Sequence, residues 1–146
     1  MEPESANPPV PASAPRRGSA VVGIGLDLVE VPRIRALLDK NGDRFRKRVF
    51  TEAEIRYCDS CAEASIHYAA RFAAKEAVAK ALGTGFAEGV TWTDIEVVRG
   101  SGGAPSVQLH GGAVKVAETL GGTRVLLTMT HTATSAAASA LLLSDF

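Results

Sequence analysis

RFAAKEAVAKALGTG, Arg71 to Gly85, decides the architecture of this chain. At 3.6 residues per turn, Phe72, Glu76, Lys80 and Gly83 fall on one stripe, flanked by Ala69 and Ala73. Ala70, Ala74, Val78, Ala81 and Leu82 fall on the opposite side. A helix that is small or apolar on nearly every side is one enclosed by the rest of its domain. The spacing predicts a long central helix from about Glu63 to Leu82, stopped by Gly83 and Gly85. Glu76 then needs an explanation. It is either half of an i,i+4 ion pair with Lys80, worth about 0.2–0.5 kcal/mol, or a carboxylate enclosed for chemistry.

Before this helix, VVGIGLDLVEV (Val21 to Val31) reads as a buried strand. Pro32 suits a first helical turn, and RIRALLDKNG reads as a short helix closed by Asn41-Gly42. A basic cluster, Arg44 to Arg48, crowds the loop beyond it, and Thr51-Glu52-Ala53-Glu54 has capping-box spacing. After the helix, Val90 to Arg99 and Ser106 to His110 read as a hairpin around the Ser101–Pro105 turn. Gly111 to Leu120 reads as a helix, and Val125–Thr130 and Ala136–Leu143 as two further strands. The expected fold is α+β, a small antiparallel sheet packed on a long central helix.

The chain has 146 residues, 46% hydrophobic and 22% charged, which suits one domain with one core. Residues 1–19 are rich in Pro, Ser and Ala and poor in large apolar groups, so they are expected to be a flexible tail ahead of a single domain at 20–146. They contain no apolar h-region, and no run is long enough to span a membrane, so a cytoplasmic location is expected. Zero net charge excludes a bulk field that would draw the protein to nucleic acid or a membrane surface. Cys58 and Cys61 lack a second pair to complete a zinc site and read as ordinary thiols.

Asp27 poses the same problem as Glu76. Aspartate is depleted in strands, and this one stands between Leu26 and Leu28. A buried, unpaired carboxylate protonates or finds a cation. Capping the helix after Pro32 is a poor alternative, because Leu28 to Val31 intervene. Two acids on different elements can share one hard cation, and magnesium typically takes one or two carboxylates and fills its shell with water and phosphate oxygens. That points to a phosphate-bearing substrate, with Lys80 and the Gly83-Thr84-Gly85 turn as candidate phosphate contacts. A helix C-terminus has the wrong dipole for an anion, so the lysine and the turn amides would carry that role.

These residues resemble a known family. Val22-Gly23-Ile24-Gly25-Leu26-Asp27 with Arg33-Ile34, and Arg71 to Ala77 with Lys80 to Gly85, resemble the two signatures of the holo-acyl-carrier-protein synthases. Trp92 to Val97, Gly103-Ala104-Pro105 and Thr130-His131-Thr132 agree, so the resemblance runs from about Val21 to the C-terminus. It implies a phosphopantetheinyl transferase. Such an enzyme moves the 4′-phosphopantetheine arm of coenzyme A to a serine of an apo acyl carrier protein and releases adenosine 3′,5′-bisphosphate. The resemblance also implies a homotrimer with interfacial active sites, with fatty acid biosynthesis as the expected setting. By position, Asp27 and Glu76 match magnesium ligands at the catalytic centre. Lys80, Gly83, Thr84, Gly85 and His131 match coenzyme A contacts, and Arg33 and Arg35 match the carrier-docking helix. The chain departs from the family in two places: Met129 replaces a serine two positions before His131, and the proline-rich segment at the start is not part of the family core.

Two rival readings remain at this level. A metal-independent coenzyme A-binding acyltransferase leaves the Asp27 and Glu76 pair unexplained. A non-catalytic carrier-binding module has no need of both acids. His67 and His110 carry no surrounding motif, and a histidine needs a positioned partner to act.

Overall fold

The computed structural model describes residues 18–100 and 102–145. Strand β1 (Ser19–Glu30) leads into α1 (Val31–Val49), α2 (Glu52–Asp59) and α3 (Ala64–Ala81). A hairpin of β2 (Ile95–Arg99) and β3 (Pro105–Leu109) follows, then α4 (Gly111–Thr119), β4 (Arg124–His131) and β5 (Ser135–Asp145). The expected tail at 1–19 lies outside the described residues except for Gly18 and Ser19, and Ser19 already belongs to β1.

The strands form two antiparallel sheets, β1-β5-β4 and β2-β3. The larger one lies on α3, the central helix the alanine pattern predicts. Ala69, Ala73, Ala74, Ala77 and Val78 of α3 are fully buried, and Ala136, Ala138 and Ala140 of β5 are buried on the facing sheet. The contact is made by backbone as much as by side chains. A Cβ at Gly25 would lie 1.7 Å from the Ala77 carbonyl oxygen, and one at Gly23 would lie 2.0 Å from that of Ala81. Real Cβ contacts do not reach such distances, so glycine is required for β1 to sit on the helix. The same contacts make β1 run antiparallel to α3.

Three expectations are corrected. First, β1 is not buried on both faces. Gly25 and Val29 turn inward, while Ile24, Leu26 and Leu28 are 68%, 66% and 65% exposed. A continuous apolar run cannot by itself tell a two-sided strand from one whose second face is bare. Second, the helix after β1 does not end at Asn41-Gly42. It bends there, at an Asn41 φ of −135° and ψ of 39°, and continues to Val49, so Arg44 to Arg48 are helical and not in a loop. Burial of Val49 and ring contacts of Phe45 with Phe50 and Phe72 hold the second segment to the core. Arg46, Lys47 and Arg48 also suit the negative end of its dipole. Third, only Ile95–Arg99 of the strand expected at Val90–Arg99 is extended; Trp92–Asp94 is a 3-10 turn capped by Thr91.

Candidate active site

Because β1 and α3 are antiparallel and in backbone contact, Asp27 comes to lie beside the last two turns of α3. Lys80 Nζ lies 3.2 Å from Asp27 Oδ1 and donates to the Leu26 carbonyl at 3.0 Å. Of the two readings of Glu76, the i,i+4 pair with Lys80 is not formed; Lys80 pairs across from helix to strand. Glu76 is half-buried next to it and makes no ion pair among the described residues. Burial and the adjacent Asp27 carboxylate push the Glu76 pKa up, opposed by Lys80 and by Arg33 at the start of α1. Neither acid is fully enclosed; Asp27 keeps 17% of its side-chain surface.

No group of three or more metal-binding side chains occurs among the described residues. Two carboxylates, close enough that one raises the pKa of the other, form a partial donor set of the kind magnesium takes, leaving the rest of its shell for water and phosphate. The residues present therefore fit a magnesium ion.

The turn after α3 is formed differently from the sequence expectation. Gly83 and Gly85 adopt left-handed backbone, with φ of 78° and 57°. Their amides return to the helix as its C-terminal cap, Gly83 N–H to the Lys80 carbonyl and Gly85 N–H to that of Ala79. A phosphate contact from this turn would thus come from Thr84. Beyond it, Phe86, Trp92 and Phe72 stack in sequence, with centroids 3.7 and 4.9 Å apart, and the Arg33 guanidinium covers Phe72 at 5.5 Å. Arg33 is thereby held next to the acids. Arg35, two residues on, faces another side of α1.

His131 does not join this group. It ends β4 beside His67, with ring centroids 6.2 Å apart, in the N-terminal half of α3. His67 and Lys80 are separated by about 20 Å along the helix at 1.5 Å per residue. His131 has different company. Arg71 is 4% exposed, its guanidinium stacks 4.1 Å over Tyr57, and its Nε has no hydrogen-bond partner. Arg99 donates to the Tyr57 hydroxyl, and Tyr57 in turn meets the edge of His67. No carboxylate is within ion-pair distance of Arg71 among the described residues. Burial, followed by the charges of Arg71, His131 and Arg99, holds the His67 pKa down. Sequence reasoning missed Arg71, Arg99, Tyr57 and His67 as a group, since three separate elements bring them together.

A second missed residue is Lys75, next to Glu76 and fully buried. It pairs with the buried Glu54 at 2.7 Å and donates to the carbonyls of Ile95 and Trp92. Glu54 also accepts from the Thr51 and Val97 amides, so the capping box seen in the sequence ties α2, β2 and α3 together. His110 serves only locally, 3.2 Å from Glu96. Both cysteines are free.

Residues 23–135 match the 4′-phosphopantetheinyl transferase superfamily. A holo-acyl-carrier-protein synthase of Koribacter versatilis is 53% identical over 122 residues, 84% of this chain and 98% of that protein. One from Desulforudis audaxviator is 50% identical over 121 residues, 83% of this chain and 92% of that protein. Among solved structures, the holo-ACP-synthase of Plasmodium yoelii aligns with a TM-score of 0.77 at 32% identity, covering 89% of this chain and 100% of that one. The Helicobacter pylori synthase in complex with coenzyme A aligns with a TM-score of 0.72 at 26% identity, covering 82% and 98%.

Proposed function

This chain belongs to the 4′-phosphopantetheinyl transferase superfamily, and we infer from that membership that it is a holo-acyl-carrier-protein synthase, transferring the 4′-phosphopantetheine arm of coenzyme A to a serine of apo acyl carrier protein. The observation that carries the reading to the residue level is the convergence of Asp27, Glu76 and Lys80 from two elements, two carboxylates and an ammonium side by side. Asp27 and Glu76 would hold magnesium, which when bound offsets charge on the pyrophosphate and the leaving phosphate. Lys80 and Thr84 would orient the pyrophosphate. Glu76, directly or through a water, would take the proton of the carrier serine as its oxygen bonds to the phosphorus carrying the pantetheine. The bond to the second phosphate breaks, and adenosine 3′,5′-bisphosphate leaves with that oxygen. Arg33 and Arg35 are the proposed docking cations for the acidic carrier, with Arg33 bordering the acids.

The reading extends to a homotrimer. His131 and the uncompensated Arg71 suit a phosphate monoester, but a single ribose separates the 3′-phosphate of coenzyme A from its pyrophosphate. His67, against which His131 rests, lies about 20 Å from Lys80 along α3, too far for His131 and Lys80 of one chain to serve both. A neighbouring copy supplying the His131 end removes the conflict, and the bare Ile24, Leu26 and Leu28 face gives copies an apolar surface to share. No helix among the described residues is long and apolar enough to cross a membrane; a cytoplasmic setting in fatty acid synthesis is proposed.

The direct test incubates apo acyl carrier protein with the enzyme, coenzyme A and magnesium and follows the carrier by intact mass. Gain of one phosphopantetheine, on the carrier serine and dependent on the metal, is expected. An unmodified carrier, or an acyl adduct in place of phosphopantetheine, rejects the reading.

A further inference from the structure

We propose that in the free enzyme Lys80 occupies the place of the divalent cation at Asp27, so that metal and coenzyme A bind as a mutually dependent pair. The inference rests on the metal-site reading above and adds an order to it.

Lys80 is bound as a cation would be. Its ammonium sits between a carboxylate oxygen, 3.2 Å away on Asp27, and a backbone carbonyl oxygen, 3.0 Å away on Leu26. Both are oxygens of the class a hard cation uses. The charge also lies close enough to Glu76 to oppose the rise of its pKa, so one ammonium serves both acids. A divalent ion entering at Asp27 would meet this ammonium at close range. The two cannot share one carboxylate oxygen without like-charge repulsion.

The ammonium is also able to leave. The Lys80 side chain is 52% exposed, against 17% for Asp27, so the lysine moves and the aspartate stays. Lysine is a point charge on a flexible four-carbon stem, suited to exchanging one anionic partner for another. The pyrophosphate of coenzyme A is that second partner. It draws the ammonium from Asp27 while adding oxygens to the metal's shell. Metal affinity is thus held down in the free protein and released by the substrate, and by linkage the metal strengthens substrate binding to the same degree. Between turnovers, Lys80 and Arg33 together offset the charge of the two neighbouring carboxylates.

The test uses the full-length protein without carrier, so that no turnover occurs. Manganese is the probe, and free ion is followed by electron paramagnetic resonance with and without coenzyme A, corrected for manganese bound to coenzyme A alone. Lys80→Met removes the charge and keeps the stem; Lys80→Gln is the second variant in case the first folds poorly. In the absence of coenzyme A, the Lys80 variants are expected to bind manganese about fivefold or more tightly than wild type. The enhancement given by coenzyme A is expected to shrink in them. Unchanged manganese affinity in both folded variants overturns the proposal. Asp27→Asn separates this from failure of the site itself. If that variant binds manganese like wild type, the metal-site reading falls and the proposal with it. If it loses manganese while the Lys80 variants gain nothing, the site stands and only the role of Lys80 is removed.

Discussion

At Glu76, burial and the Asp27 charge act in the same direction, and both favour the neutral acid. Glu76→Gln keeps size and helix propensity and removes the charge. Turnover at saturating coenzyme A and carrier should fall by about 100-fold or more, since a metal ligand and a proton acceptor are lost together. Stability should move the other way. A carboxyl whose pKa is raised on folding contributes stability that is present below its unfolded value, 4.5, and lost as pH rises through the folded one. The metal-free variant should therefore melt at or above the wild type at pH 7, with the difference closing as pH falls toward 4.5; a variant that melts lower at pH 7 contradicts this. For Arg71→Gln, KM for coenzyme A should rise by about tenfold while KM for 3′-dephospho-coenzyme A changes little, because a charge-assisted contact to one phosphate is removed. Equal rises for both would place Arg71 in packing alone. Asp27 and Glu76 were legible in the sequence because each is a charge in an apolar run. The company of Arg71 was not, because Tyr57 stacks on it from α2, Arg99 bonds Tyr57 from β2 and His131 meets His67 from β4, and these share no spacing.

The elements show the same division. Local signals placed α2 through its capping box, α3 through its alanine pattern and the β2–β3 hairpin through its turn. They failed where tertiary packing overrode them: Asn41-Gly42 reads as a stop, yet burial of Val49 and Phe50 carries the chain on as helix. The joint between α2, β2 and α3 was also invisible, since Glu54 and Lys75 lie far apart in sequence. Lys75→Met should cost about 3–5 kcal/mol by urea unfolding, because it leaves the Glu54 carboxylate buried without its cation. Adding Glu54→Gln should recover part of that loss. If the double variant is no more stable than Lys75→Met, the cost arises from packing and not from charge.

For the whole molecule, the proposed sharing of a site between copies has a direct test. Trimers of Asp27→Ala should be inactive, and trimers of His131→Ala impaired in coenzyme A binding. Unfolding and refolding a mixture of the two should return a fraction of wild-type activity, because some interfaces then pair an intact acid end with an intact histidine end. No recovery, with mixed trimers verified by native mass spectrometry, places both residues in one chain's site. The exposed side of β1 was illegible for a related reason: a strand covered by a second copy and one covered by its own domain have the same apolar sequence. The pairing of β1 with β5 has a consequence of another kind. Ser19 lies directly across from Asp145, and their side chains are hydrogen-bonded at 2.6 Å, so the first and last residues of the sheet are neighbours. The order of elements along the polypeptide can then be cut and rejoined. A circular permutant that joins Asp145 to Ser19 through a short glycine-containing loop and opens at Gly102, in the exposed hairpin turn, should fold and keep transferase activity. The free ends of such a permutant would emerge from the β2–β3 hairpin, leaving the old junction available for a fused domain.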